Sequence, residues 1–314
     1  MAAVVLICTA SACSNSQSPA QSTVGPSPTS ADASSHATAT IATVTFASSG
    51  PGGHIWTVDG VTGARSQVTH GEGGVDFDPH WSPDGTELVF RTERFHAPDP
   101  THTGYNGIFV SAANGSAEHA ISPPGGGLFP AWSPDGSTII FSSPRFDGSE
   151  GLFAVHPDGS ALTDLAVYGE HVGWSPDGRA LLIDRNTGNP GHQNWEIWTA
   201  TSALTGLNQL TDAVGDDHFA AWSPAGNNVV FTSHRDRSGD VWVMNADGSG
   251  QRAVVAWKGD QSAEGWLPDG RLLFADYPSS GDPRWYVIDP GGTNLHALPV
   301  LDGIQGPVDW TARR

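Results

Sequence analysis

The stretch Trp81-Ser82-Pro83-Asp84-Gly85-Thr86-Glu87-Leu88-Val89-Phe90 decides how the chain is read, because it returns four more times. It recurs as WSPDGSTIIF from Trp132, WSPDGRALLI from Trp174, WSPAGNNVVF from Trp222 and WLPDGRLLFA from Trp266. Successive tryptophans lie 51, 42, 48 and 44 residues apart, and Trp310 follows after another 44. A repeat of 40–50 residues has the length of a four-stranded propeller blade. Each unit reads as a strand ending in Trp, a tight turn, an apolar strand such as TELVF, a loop, a strand such as DVWVM, a Gly-containing turn and a last short strand. In the turn, proline presets φ for the second position, Asp tolerates the third, and Gly accepts positive φ at the fourth. Pro83, Asp84, Gly85, Gly136, Gly178, Gly226 and Gly270 are therefore read as corners, with Trp81, Trp132, Trp174, Trp222, Trp266 and Trp310 as anchors between blades. Ala225 replaces Asp in one copy and Leu267 replaces Ser in another, while Pro and Gly persist. That pattern suits turn chemistry better than a set of carboxylate ligands.

Counting the units closes a ring. Trp310 begins a unit that the C-terminus leaves unfinished, and IATVTFA (41–47), HIWTVDG (54–60) and ARSQVT (64–69) complete it from the other end. The expected fold is all-β, a six-bladed propeller of four-stranded antiparallel blades, with one blade assembled from both termini over residues 41–314. Gly 39, Pro 23, Trp 12 and Phe 12 suit many short strands joined by tight turns.

Residues 2–12 are a short apolar run, and Ala10-Ser11-Ala12-Cys13 resembles a bacterial lipobox. Residues 1–13 are thus expected to be a lipoprotein-type signal ending at Cys13, the lipidation site. No Lys or Arg precedes the run, so a basic segment is expected upstream. Residues 14–40, almost wholly Ser, Ala, Thr, Pro and Gln, read as a tether with an end-to-end distance of roughly 30 Å. The expected location is extracytoplasmic, with the membrane touched only through the lipid anchor, and the domain a monomer.

Lys+Arg 14 against Asp+Glu 33 gives a net charge of −19, which disfavours nucleic acid and anionic lipid as partners. G-x-S-x-G does not occur; Gly173-Trp174-Ser175-Pro176-Asp177 lacks the final Gly. There is no H-E-x-x-H, and Cys8 and Cys13 are the two cysteines of the chain.

The W-S-P-D-G repeat with its later D-G-S turn resembles the WD40-like units of the TolB propeller, which also build the propeller of the prolyl oligopeptidase group. The resemblance covers residues 41–314 and implies the fold; it implies no single function. Its D-x-x-P-x-W element is matched in part, by Asp76 and Pro79 before Trp81 and by Asp217 before Trp222. Gly127, Gly169, Gln261 and Gln305 stand at the other copies.

In a four-stranded meander the short turns fall on one face and the long connections on the other, where loops carry function. The channel mouth on that loop face collects the candidate binding residues Asp76, His80, Glu170, His171, Asp217, His218, Asp260 and Gln305. Three readings follow: a non-catalytic module for a protein, peptide or glycan, a lyase-like carbohydrate enzyme with a divalent metal held by His and Asp, or an envelope scaffold. No cofactor is expected beyond that metal.

Overall fold

The computed structural model describes residues 41–47, 53–72, 74–94, 107–123, 126–144, 150–188, 193–304 and 307–312. Six four-stranded antiparallel sheets account for all of the strands, and the one helical segment among these residues is the 3-10 turn Pro299–Leu301. We number the blades from the mixed one. Blade 1 orders Val308–Ala312, Ile41–Ala47, Ile55–Asp59 and Arg65–Gln67. The innermost strands of blades 2 to 6 are Asp76–Trp81, Leu128–Trp132, Glu170–Trp174, Asp217–Trp222 and Asp260–Trp266. In blade 1 the C-terminal strand pairs Val44 with Trp310 and Phe46 with Val308. The expected closure is observed.

Second strands carry the core because both of their faces are covered by neighbouring blades. Leu88, Val89 and Phe90 are buried, as are Val229, Val230 and Phe231. Trp132 shows why the anchors hold the ring together: it packs with Val89, Ile108 and Val110 of blade 2 and with Ile139 and Phe141 of its own blade. Burying an indole of this size removes on the order of 200 Å² from water, several kcal/mol of hydrophobic stabilisation. The outermost strands are two to four residues long. Short edges of this kind offer little template for aggregation.

The corner is more than a conformational fit. Gly85 has φ 70° and donates its N–H to Ser82 O at 2.8 Å. Asp84 Oδ1 accepts from Ser82 Oγ at 2.7 Å, from Thr86 N at 3.0 Å and from Thr86 Oγ1 at 2.8 Å. Ser82 Oγ in turn accepts Glu87 N at 2.9 Å. In the copy that lacks Asp, Asn227 Oδ1 receives Ser223 Oγ at 3.0 Å, so the amide two residues on replaces the carboxylate. The corners also touch round the ring, since a Cβ on Gly136 would lie 3.9 Å from Pro83 and one on Gly178 3.9 Å from Pro134.

Hydrogen bonds from Ser133 and Ser137 hold the Asp135 carboxyl down at about 2. A folded-state value below the unfolded one contributes stability above the unfolded value that is lost as pH falls through the folded one. Asp135→Ala is expected to cost about 1 kcal/mol at pH 7, given its solvent exposure. The gap from wild type should close as pH falls from about 4 to about 2. Urea titrations at both ends of that range would expose a gap that fails to close.

Candidate functional site

Each innermost strand runs from the loop face to the turn face, those of blades 2 to 6 ending in their Trp, so its register sets the depth of every side chain in the channel. A cavity of about 810 Å³ lies along this axis and reaches from Asp260 and Tyr277 at the loop face to Pro83 and Pro134 at the turns. All six repeat tryptophans contribute to its wall. The corners read from sequence as structural alone thus also shape the far end of the channel.

Halfway down, the strands bulge. Asp78, Phe129, His171 and Phe219 each stand three residues before their Trp and adopt φ of 50°, 50°, 41° and 56°. The pairing of each strand with its neighbour shifts there. A bulge removes backbone N–H groups from the ladder, and buried N–H groups need acceptors. Side chains of the preceding blade supply them. Asp184 Oδ2 accepts Phe219 N at 2.8 Å, Thr232 Oγ1 accepts Ala263 N at 2.9 Å, and Asp78 accepts the N–H of Phe129. At nearby positions Glu264 Oε2 accepts Val308 N at 3.4 Å and Asp309 Oδ2 accepts Trp81 N at 2.6 Å. The channel wall is therefore clasped blade to blade by its own polar groups.

The wall has two chemically different halves. Blades 6, 1 and 2 contribute Asp260, Glu264, Asp309, Asp78 and His80. Blades 3, 4 and 5 contribute Phe129, His171, Phe219 and His218. These rings form one aromatic belt, with centroids 5.1 Å apart for Phe129–His171, 4.8 Å for His171–Phe219 and 4.2 Å for His218–Phe219. His218 Nε2 also lies 3.3 Å from His234 Nδ1. No Lys or Arg is among the described residues of the wall.

Burial, helped by His80, lowers His171 to about 4. Burial, helped by His234 and His171, lowers His218 to about 3. Both imidazoles are neutral at pH 7. Burial pushes Asp78 up against the pull of Arg91, whose Nε is 3.2 Å from its Oδ2. Asp184 is raised well above the usual carboxylate range, again by burial.

Glu264 is raised to about 7 by burial. A carboxyl raised on folding makes stability fall as pH rises from its unfolded value to its folded one, because the folded state holds the proton longer. Glu264→Gln should therefore be more stable than wild type at pH 8, by about 1–3 kcal/mol, with the advantage gone by pH 4.5. Thermal melts showing the same difference at both pH values would contradict this.

Four of the residues singled out from sequence, His80, His171, His218 and Asp260, lie on the cavity wall. His80 sits next to the Trp ring, deep in the channel and away from the loop-face mouth, with Nδ1 3.2 Å from Trp81 O. Asp76 and Asp217 are not on the wall. Both are fully buried, Asp76 against Arg94 Nε at 2.8 Å and Thr69 Oγ1 at 2.6 Å, Asp217 against Arg235 at 2.7 Å. Five residues before the Trp and ahead of the bulge, these carboxylates turn away from the channel into buried ion pairs with Arg94 and Arg235. Glu170 begins the blade 4 strand outside the wall. Gln305, Cys13 and the tether lie outside the described residues. Among the described residues no three His, Cys, Asp or Glu are grouped to hold a metal. The residues that sequence reasoning passed over are Asp78, Glu264, Asp309 and Asp184, together with Phe129 and Phe219. All but Asp184 stand one to three places before a repeat Trp, and that offset was their signal.

The family model described as the TolB beta propeller domain matches residues 15–260. The chain belongs to this family. It is 25% identical over 252 residues to an uncharacterized protein of Agrobacterium fabrum, covering 74% of the chain and 78% of that relative. It is 33% identical over 84 residues to the Tol-Pal system protein TolB of Anaeromyxobacter dehalogenans, covering 26% of the chain and 18% of that protein. Among solved structures, TolB from Acinetobacter baumannii superposes with a TM-score of 0.69 at 13% identity, over 85% of this chain and 65% of that one. This TolB-like propeller thus spans under a fifth of the Anaeromyxobacter protein and about two thirds of the Acinetobacter chain. No helix among the described residues is long and apolar enough to cross a membrane.

Proposed function

We propose that this TolB-like propeller is a non-catalytic, extracytoplasmic binding module that takes a protein, peptide or glycan segment into its channel from the loop face. The observation that carries the reading is the cavity of about 810 Å³, open at the loop-face residues Asp260 and Tyr277 and walled by aromatic rings and carboxylates. Binding sites are concave, mostly apolar and furnished with a few polar groups, and this channel has that make-up. The likeness to Tol-Pal system proteins supports a role in the cell envelope. The lipobox-like Ala10-Ser11-Ala12-Cys13 and the Ser/Ala/Thr/Pro tether support a lipid anchor that holds the propeller off the membrane. Palmitate labelling that is abolished in Cys13→Ser tests the anchor.

Photo-crosslinking groups at Asp260 or Tyr277 should capture a partner from envelope extracts, whereas groups at Asp84 or Asp247 on the turn face should not. Capture at the turn face alone would place binding on the wrong side. The second reading, a metal-assisted carbohydrate lyase, is favoured by the 3.3 Å approach of His218 Nε2 and His234 Nδ1, a separation suited to two ligands of one ion. It requires stoichiometric metal in the purified protein and turnover of an acidic glycan that His218→Ala removes.

A further inference from the structure

Building on the binding reading above, we propose that the channel selects a cationic peptide segment, one carrying a Lys or Arg beside an aromatic or branched apolar residue. The Lys or Arg is received by Glu264 and Asp309. The two halves of the wall carry the inference. On one side, Asp260, Glu264 and Asp309 come from the adjoining blades 6 and 1, and none has a Lys or Arg partner among the described residues. Asp78 differs, since Arg91 at 3.2 Å already neutralises it. Asp309 meets only the backbone N–H of Trp81 and His80 Nδ1 at 3.8 Å, both through Oδ2, so Oδ1 makes no hydrogen bond with the described residues. Glu264 uses Oε2 on Val308 N at 3.4 Å, a long contact, and interacts with the Ser262 side chain beside it, neutral partners that a cationic donor would outcompete.

On the other side, Phe129, His171, Phe219 and His218 present ring faces and edges with no charge at pH 7. A Lys or Arg with an apolar neighbour satisfies both sides at once: its charge meets the carboxyl groups of Asp309 and Glu264, and the neighbour lies on the belt. Trp266 and Trp310, which follow the two acidic residues in their strands, line the same cavity. An acidic chain is disfavoured by the same count, because no wall residue supplies a positive charge and each added carboxylate would face like charge at short range.

Three fluorescein-labelled Gly/Ser decapeptides with central Trp-Lys-Arg, Trp-Gln-Gln or Trp-Glu-Glu, titrated by anisotropy against the full chain, test this. The Lys-Arg peptide should bind on the order of tenfold more tightly than the Gln-Gln peptide, with the Glu-Glu peptide weakest. Glu264→Gln and Asp309→Asn keep an oxygen for Val308 and Trp81, and each should remove most of that preference without lowering thermal stability at pH 7. Equal binding of all three peptides, or a preference that survives in the double variant, overturns the cationic inference and leaves the binding-module reading standing. If no peptide binds while the Asp260 crosslinker still captures a partner, the inference again fails alone; if capture fails too, both fall. Tightest binding by the Glu-Glu peptide in the presence of Mn²⁺ would also overturn it, in favour of a metal-bridged anion site.

Discussion

Asp76→Ala should destabilise the propeller by about 3–5 kcal/mol, the cost of stripping one partner from a buried ion pair. Asp76 is wholly shielded from water, and Arg94 spans it and Glu118: Nε to Asp76 Oδ1 at 2.8 Å, Nη1 to Glu118 Oε1 at 2.8 Å. Thr69, which accepts Ile55 N at 2.9 Å, donates to the other Asp76 oxygen at 2.6 Å. Through this one carboxylate, the third and fourth strands of blade 1 are tied to the first strand of blade 2. Removing it takes the acceptor from the Thr69 hydroxyl and leaves Arg94 Nε with Thr92 Oγ1 at 3.1 Å in place of a buried carboxylate. The double variant Asp76→Leu/Arg94→Met should recover much of the loss, because an apolar pair of similar volume avoids the desolvation cost. Urea unfolding followed by tryptophan fluorescence would read both; a loss under 1 kcal/mol in Asp76→Ala would show that the pair is dispensable. Asp217 and Arg235, at 2.7 Å, should respond in the same way in blade 5.

Removing Val308–Ala312 should have the larger effect, abolishing cooperative unfolding altogether. Those five residues supply the innermost strand of blade 1, the Trp310 contact with Gly265 and the acceptor for Trp81 N. Without them Ile41–Ala47 becomes an open edge, blades 6 and 2 lose the innermost strand that stands between them, and the apolar cluster of Val44, Phe46, Trp285 and Leu301 loses the cover of Val308. Aggregation and a featureless melt are expected. A synthetic peptide of residues 305–314 added to the truncated chain should restore a cooperative melt, and a truncated chain that melts cooperatively without it would remove closure as the basis of the fold.

The repeat made the fold legible before any coordinate. Proline, glycine and tryptophan at fixed offsets report local backbone geometry, and local geometry repeated six times leaves one way to close. The site was legible only in part. Sequence placed Asp76 and Asp217 at the mouth because they precede the tryptophans, but a bulge two residues later decides which side chains reach the channel. That bulge uses Asp78, Phe129, His171 and Phe219 in a left-handed conformation more typical of glycine, so no residue type announces it. Asp184 was hidden for another reason: it acts across blades, clasping Phe219 thirty-five positions further on. The serine of the corner was underrated too, since its pairing with Asp84 or Asn227 becomes visible only once the hydroxyl has a direction.

The blade built from both termini also settles how the domain meets mechanical load. A pull arriving from the N-terminal side enters at Ile41–Ala47, which is flanked on one side by Val308–Ala312 and on the other by Ile55–Asp59. Such a strand cannot be peeled away one hydrogen bond at a time, as an edge strand can. It must slide against two ladders at once, so traction entering at Ile41 is shared across a whole sheet and passed on to its neighbours round the ring.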